Sequence, residues 1–224
     1  MLTSFTADRL AVCTPNSPIF RLGRWPNPWL PPEWFWAHED RTFGNRFDDP
    51  SGFYRVLYAS TQRVSCFIET LARFRPDISL VDDFSQIEGE EEYLPLGAVS
   101  VEWLTSRRLG QATLSGAYAD IYSSGWVSYM RAGLAGDAVQ LGLSDVDVSV
   151  LQQPSPRSIT QRASRKIYER GLDGIFYRSL YGHDLENRAL FEPFHLTDKL
   201  SEPALASDDA DLREALRILG LTLL

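Results

Sequence analysis

Cysteine is scarce in this 224-residue chain, which has only Cys13 and Cys66. Two thiols cannot build a disulfide framework or a cysteine metal cage. One Cys13–Cys66 disulfide stays open in principle, and two buried thiols in a reducing compartment are the simpler expectation. Histidine is nearly as rare: His38, His183 and His195 have no metal-ligand spacing, so no metal site is expected. Basic residues are outnumbered, 22 Lys+Arg against 30 Asp+Glu, for a net charge of -8. That balance argues against a general nucleic-acid binder, which must neutralise phosphates with a basic surface. A few cations at one place would still suffice for a small anionic ligand. Long apolar runs are missing too, and none approaches the roughly 20 residues that span a bilayer. The stretch from Met1 to Cys13 carries Asp8 and Arg9 and lacks the apolar centre of a signal peptide. A soluble, cytoplasmic protein is expected.

Several motifs are also absent. There is no G-x-G-x-x-G for a dinucleotide fold, no G-K-[ST] phosphate loop and no G-x-S-x-G esterase elbow. No Pro/Gly/Ser-rich linker divides the chain, and no internal repeat is visible. At 44% hydrophobic, the sequence can bury one sizeable core.

What is present reads as irregularly mixed helices and strands, predicting a single α+β domain with a mixed sheet. Residues 1–18 form an N-terminal extension, 19–195 the body, and 196–224 a tail with a short helix from Asp209 to Leu219 closed by Gly220. Strands are predicted at Ile19–Leu22, Phe53–Ala59, Ile78–Val81, Leu96–Leu104, Val146–Leu151, Gly174–Ser179 and Arg188–Phe191. Leu109–Ser115 is ambiguous. Helices are predicted at 61–74, with Ser60-Thr61 offering the N-cap, and at Ala119–Gly133. Another opens with the capping box Ser158-Ile159-Thr160-Gln161 and stops at Gly171. Near 25–36, Trp25, Trp29, Trp34 and Trp36 alternate with prolines that exclude a regular helix or central strand. An aromatic flap packed on the domain is expected there, a lid or partner surface being the alternative. The acidic run Glu88–Glu92 reads as a solvated segment.

Four polar residues stand at the edges of apolar segments. Arg46 lies in the turn Gly44-Asn45-Arg46-Phe47-Asp48-Asp49-Pro50, where a guanidinium can grip phosphate oxygens. Its plain alternative is an ion pair with Asp48 or Asp49. Tyr58 ends the strand FYRVLYA, where its ring can stack on a flat heterocycle or simply stay half-buried. Glu69 follows Phe67 and Ile68 near an apolar helix face, so it must be paired or functional. Arg73, one turn on, is its nearest partner. Ser179 ends GIFYRS, a place where a hydroxyl can face a cleft. His183 beside Asp184 reads as a solvated loop histidine, and Cys66 as a packed thiol.

The order and context of GNRFDDP, FYRVLYA, CFIETLARF and GLDGIFYRSLYGHDLENRALFEP resemble the RES-domain family over about residues 19–195. The resemblance implies a compact mixed-sheet fold similar to ADP-ribosyltransferases, and a toxin of a RES–Xre toxin–antitoxin pair. It implies cleavage of the nicotinamide–ribose bond of NAD+, by hydrolysis or phosphorolysis, with NAD+ as substrate and no prosthetic cofactor. Alternatives are mono-ADP-ribosylation of a macromolecule, or a silent partner-binding domain. The matching positions are Arg46, Tyr58, Glu69 and Ser179, with Arg21 as an early substrate-binding arginine. Asn45 and Phe47 depart from the usual glycine and tryptophan of the first motif. Expected partners are NAD+, an Xre-type antitoxin and a second copy in a homodimer, without direct contact to nucleic acid or membrane.

Overall fold

One eight-stranded mixed sheet organises the chain, and the helices pack in two groups beside it. The computed structural model describes residues 10–15, 18–76, 96–153 and 155–224. The predicted strand Ile78–Val81 and the acidic run Glu88–Glu92 lie outside the described residues. The strands are β1 (Val12–Cys13), β2 (Pro18–Arg24), β3 (Val56–Ser60), β4 (Ala98–Val99), β5 (Arg107–Leu114), β6 (Tyr118–Asp120), β7 (Gly174–Ser179), β8 (Gly182–Phe191), β9 (Leu196–Ser201) and β10 (Thr222–Leu223). The helices are α1 (Arg63–Leu71), α2 (Val101–Thr105), α3 (Ser124–Gly133), α4 (Ala135–Gln140), α5 (Val148–Gln152), α6 (Arg157–Tyr168) and α7 (Ala210–Leu219).

The sheet order is β1-β6-β7-β8-β3-β2-β5-β9, with β10 and β4 forming a separate parallel pair. Only β6 and β7 pair in parallel within the large sheet. Side chains alternate across this sheet. On one face Tyr58, Asn187 and Tyr177 lie on the adjacent strands β3, β8 and β7, because Ser60 pairs with Asn187 and Asn187 with Tyr177. Leu57, Ala59, Phe176 and Leu190 point to the other face.

Three buried clusters follow from that alternation. The first lies under α3 and α6, with Phe47, Tyr54, Trp126, Ile159, Ile167 and Tyr177. A second joins α1 and α7 to β2 and β5 through Phe67, Ile68, Leu71, Leu109, Leu212 and Leu216. The third, on the opposite face, contains Ile19, Leu57, Ala112, Phe176 and Trp29. Trp29 is how the Trp/Pro segment attaches. Gly110 and Gly23 let it lie flush, since a Cβ on Gly110 would meet the Trp29 indole at 2.6 Å and one on Gly23 the Pro28 backbone at 2.4 Å. The segment is a packed strap at Trp29, while Trp25 and Trp36 remain exposed.

Some predicted elements change type, each for a local reason. Leu96–Leu104 is strand only at Ala98–Val99, because the Ser100 hydroxyl accepts from Glu102 N and caps α2. Val146–Leu151 is not a strand: Asp147 accepts from Val150 N and turns the valines into α5. Ala119–Gly133 divides into the end of β6 and α3. Leu109–Ser115 resolves as most of β5. Helix α1 begins later than Ser60-Thr61 suggests, with Gln62 at its N-cap. The Ser158 capping box does not form, since the N-cap lies two residues earlier at Pro156 and Gln161 is used elsewhere. Helix α7 starts on an Asp209 cap and ends on left-handed Gly220 (φ 66°) as predicted. Cys66 is buried, Cys13 half-buried, and both are free thiols.

A fork from Arg55 to Glu192 ties the start of β3 to the end of β8, its Nε donating to Oε2 at 2.9 Å and its Nη2 to Oε1. Those hydrogen bonds hold the Glu192 carboxyl below its usual range. A lowered acid pKa gives stability that is complete above the unfolded value, about 4.3, and is lost as pH falls through the lowered one. The melting-temperature advantage of the native chain over Glu192→Gln should therefore be full at neutral pH and shrink on acidification. An advantage independent of pH would contradict this.

Candidate active site

The turn that presents Arg46 is built by its own carboxylates. Asp48 is buried and accepts from Phe43 N and Asn45 N, both at 2.8 Å, and from the Asn45 amide. Burial pushes its carboxyl pKa up, and the donating backbone N–H groups pull it back down. Asp49 accepts from Ser51 N and Phe53 N and pairs with Arg165 at 3.3 Å. Gly44 (φ +74°) sits where a Cβ would lie 3.3 Å from His38, so the turn requires glycine on conformation and space. From behind, Gln161 of α6 donates to Asn45 O at 3.0 Å and Ser164 to Phe47 O at 2.7 Å.

Arg46 is thereby left without either neighbouring carboxylate, against the plain expectation of an Asp48 or Asp49 pair. Its guanidinium lies 4.5 Å from the Phe47 ring centroid and 4.8 Å from that of Tyr177. Its Nη2 donates to the Tyr122 hydroxyl at 2.8 Å, and its buried Nε has no partner. No carboxylate lies within ion-pair distance among the described residues. A cation held on two aromatic faces keeps its charge available to an anion.

Tyr58 stands beside this turn, but its hydroxyl is engaged, accepting from Phe47 N at 2.9 Å. The half-buried ring is what it can offer a ligand. Tyr177 contributes more than sequence reasoning recognised. Burial raises its phenol well above the ordinary value, the Glu69 charge adds to that and Arg46 opposes it. Tyr122 is raised by burial, lowered by Arg46 and raised by Glu69. Both phenols remain protonated at neutral pH, and each lies within electrostatic reach of both Arg46 and Glu69.

Glu69 lies on α1 with an exposed carboxylate, not buried against the apolar face as its neighbours suggest. Arg73 is not its partner: that guanidinium donates to Thr70 O at 3.2 Å and turns toward Phe74. Instead, Oε1 of Glu69 accepts from Nδ2 of Asn187 at 3.0 Å. Asn187 is fully buried, and its Oδ1 accepts from the hydroxyls of Ser65, at 2.9 Å, and Ser60. Arg46, Tyr58, Tyr177, Tyr122, Glu69 and Asn187 thus gather at the seam between the first and second clusters.

Two predicted residues stand apart. Ser179 is buried two residues beyond Tyr177, where the β7–β8 register shifts, and its Oγ accepts from Tyr181 N at 3.1 Å. Arg21 shares the strand face of Ile19, and it donates to the backbone oxygens of Pro28 and Tyr58, each at 2.7 Å. It fastens the strap to β3 and is spent on that task. A crevice of about 340 Å³ lined by Arg24, Trp25, Thr105, Ser106 and Arg107 does not coincide with the gathered residues. Cys66 lies in the wall behind them, its thiol pushed up to about 12 by burial, which suits packing and not nucleophilic attack.

Asn187, Tyr177 and Tyr122 are the residues that sequence reasoning missed. Asn187 had no signal, since it lies in the polar run Glu186-Asn187-Arg188 ahead of the apolar Ala189-Leu190-Phe191. Tyr177 shares alternation with Ile175. Tyr122 had none, because its segment reads as helix.

Comparison with known proteins agrees with this arrangement of elements. No curated protein matches the chain. Among solved structures, a chain of the M. tuberculosis MbcT–MbcA toxin–antitoxin complex is similar over 93% of this chain and 92% of that one, with a TM-score of 0.50 and 10% identity. At that identity the likeness is one of fold. The RES domain matches residues 19–209, most of the length, and on that match this chain belongs to the RES domain family.

Proposed function

We propose that the protein is an NAD+-degrading enzyme that cleaves the nicotinamide–ribose bond, acting as the toxin of a toxin–antitoxin pair and silenced by an antitoxin. One observation carries the reading. A carboxylate oriented by a neutral amide and an arginine free of carboxylates flank two protonated phenols in a single seam. The nicotinamide of NAD+ is a cationic pyridinium that departs as a neutral molecule, so the bond needs little acid catalysis. The barrier lies in the positive charge that develops on the ribose, and a fixed carboxylate opposite it lowers that barrier. Glu69 takes this role. Arg46 binds the pyrophosphate and fixes the ribose against Glu69, while the rings of Tyr58 and Tyr177 border the nicotinamide. Ser179, set apart farther along β7 with its Oγ accepting from Tyr181 N, is left outside the substrate's contacts.

The fold shared with a chain from a toxin–antitoxin complex supports the biological half of the proposal. The test is direct: purified protein is incubated with NAD+, with and without inorganic phosphate, and free nicotinamide is followed by chromatography. Nicotinamide release is expected, and the sugar product distinguishes water from phosphate as acceptor. Folded, antitoxin-free protein that releases none in either buffer would overturn the reading. Labelled ADP-ribose on a macromolecule would move it to a transferase.

A further inference from the structure

Asn187 makes the only hydrogen bond to the Glu69 carboxylate among the described residues. It sits on β8, between Ser60 of β3 and Tyr177 of β7, and is fully buried. A buried amide is costly unless its polar atoms are satisfied. Here the partners also fix which way it points. Ionised Glu69 can only accept, so Nδ2 must face it, and Oδ1 then faces two hydroxyls that can donate. Those hydroxyls come from Ser60 on β3 and Ser65 on α1, so the amide is held by two elements besides its own strand.

The chemical type of this partner matters more than its presence. An arginine or lysine in its place would orient the carboxylate and also neutralise much of its charge. Asn187 orients one oxygen and leaves the negative charge undiminished, and Oε2 has no hydrogen-bond partner among the described residues. An exposed glutamate otherwise loses rotamer entropy when it is fixed, and here part of that loss has occurred before substrate arrives. We propose that Asn187 is a positioning residue for Glu69, a neutral donor that sets the carboxylate's direction without discharging it. The kinetic half of this proposal rests on the NAD+-cleaving reading above.

Asn187→Asp tests it, since it keeps the shape and the acceptor for both serines but sets a carboxylate against Glu69. Per folded molecule, kcat for nicotinamide release should fall by about 10–100-fold while KM for NAD+ stays within about twofold. Ser65→Ala should give a smaller loss of the same kind, and it carries the test if the aspartate variant fails to fold. A purely structural residue would lower the melting temperature and the folded fraction but leave kcat per folded molecule unchanged. That result in both variants overturns the proposal.

A second measurement is independent of turnover. Glu69→Gln combined with Asn187→Asp rebuilds an amide–carboxylate bond with the roles reversed. Its melting temperature should recover above that of Asn187→Asp alone, although turnover does not return. Simple additivity of the two changes would deny the contact. If the native chain releases no nicotinamide while the melting cycle shows coupling, the failure lies with the catalytic reading and not with the contact.

Discussion

Glu69→Gln is expected to lower kcat for nicotinamide release by about a thousandfold and to leave the melting temperature unchanged. The two halves come from different parts of the side chain. Only the negative charge stabilises a developing cation on the ribose, and glutamine lacks it. The contact that holds the residue needs only an acceptor at Oε1, which glutamine retains for Asn187 Nδ2. Because Glu69 is exposed and has no arginine or lysine partner among the described residues, no buried cation is stranded by the change. Nicotinamide chromatography beside a thermal melt monitored by circular dichroism would check both halves. Retention of more than about a tenth of native kcat would remove the direct electrostatic role.

Asp48→Ala should have the largest effect on stability among the site's residues. Its carboxylate satisfies two backbone N–H groups in a turn with little access to water. Losing it leaves both without their acceptor, at a cost of about 2–4 kcal/mol. For a chain of this size that corresponds to a fall in melting temperature of roughly 5–15 °C. Asp48→Asn should be milder, since one acceptor remains and a buried charge is removed. Activity should suffer beyond the loss of folded protein, because Arg46 takes its position from this turn. The expected sign is a rise in KM for NAD+ at temperatures where the variant is still folded. Native KM in a destabilised but folded Asp48→Ala protein would show that Arg46 is placed independently of the turn.

Those two residues also mark how far the sequence could be read. The turn around Arg46, the strand bearing Tyr58, the helix bearing Glu69 and the strand Gly174–Ser179 were all visible from apolar pattern and turn chemistry, and the structure holds them as regular elements around a defined turn. Pairing was harder. Asp48, Asp49 and Arg73 were the nearest opposite charges in sequence, yet backbone donors claimed the two aspartates and a carbonyl claimed the arginine. Near-neighbour rules cannot anticipate Asn187, which lies 118 residues from Glu69 and reaches it only because β8 runs beside β3 beneath α1. Cap competition explains the misread elements: one hydroxyl at Ser100 and one carboxylate at Asp147 outweigh valines that favour strand. Gln161 shows the reverse case, a capping signal whose side chain was recruited to hold Asn45 O.

Arg63, the first residue of α1, donates to Asp209 at 2.8 Å, to Asp211 at 2.9 Å and to Glu202. Behind it, Leu212, Ala215, Leu216 and Leu219 of α7 share a cluster with Phe67, Ile68 and Leu71. The RES domain match ends at residue 209, and the last helix, just beyond it, is fastened to the back of the helix that presents Glu69. The helix that presents Glu69 is consequently held from two directions, by an amide in front and by a clamped wedge behind. Pulling the wedge loose at its two acidic pins, Asp209 and Asp211, is expected to change where the carboxylate points.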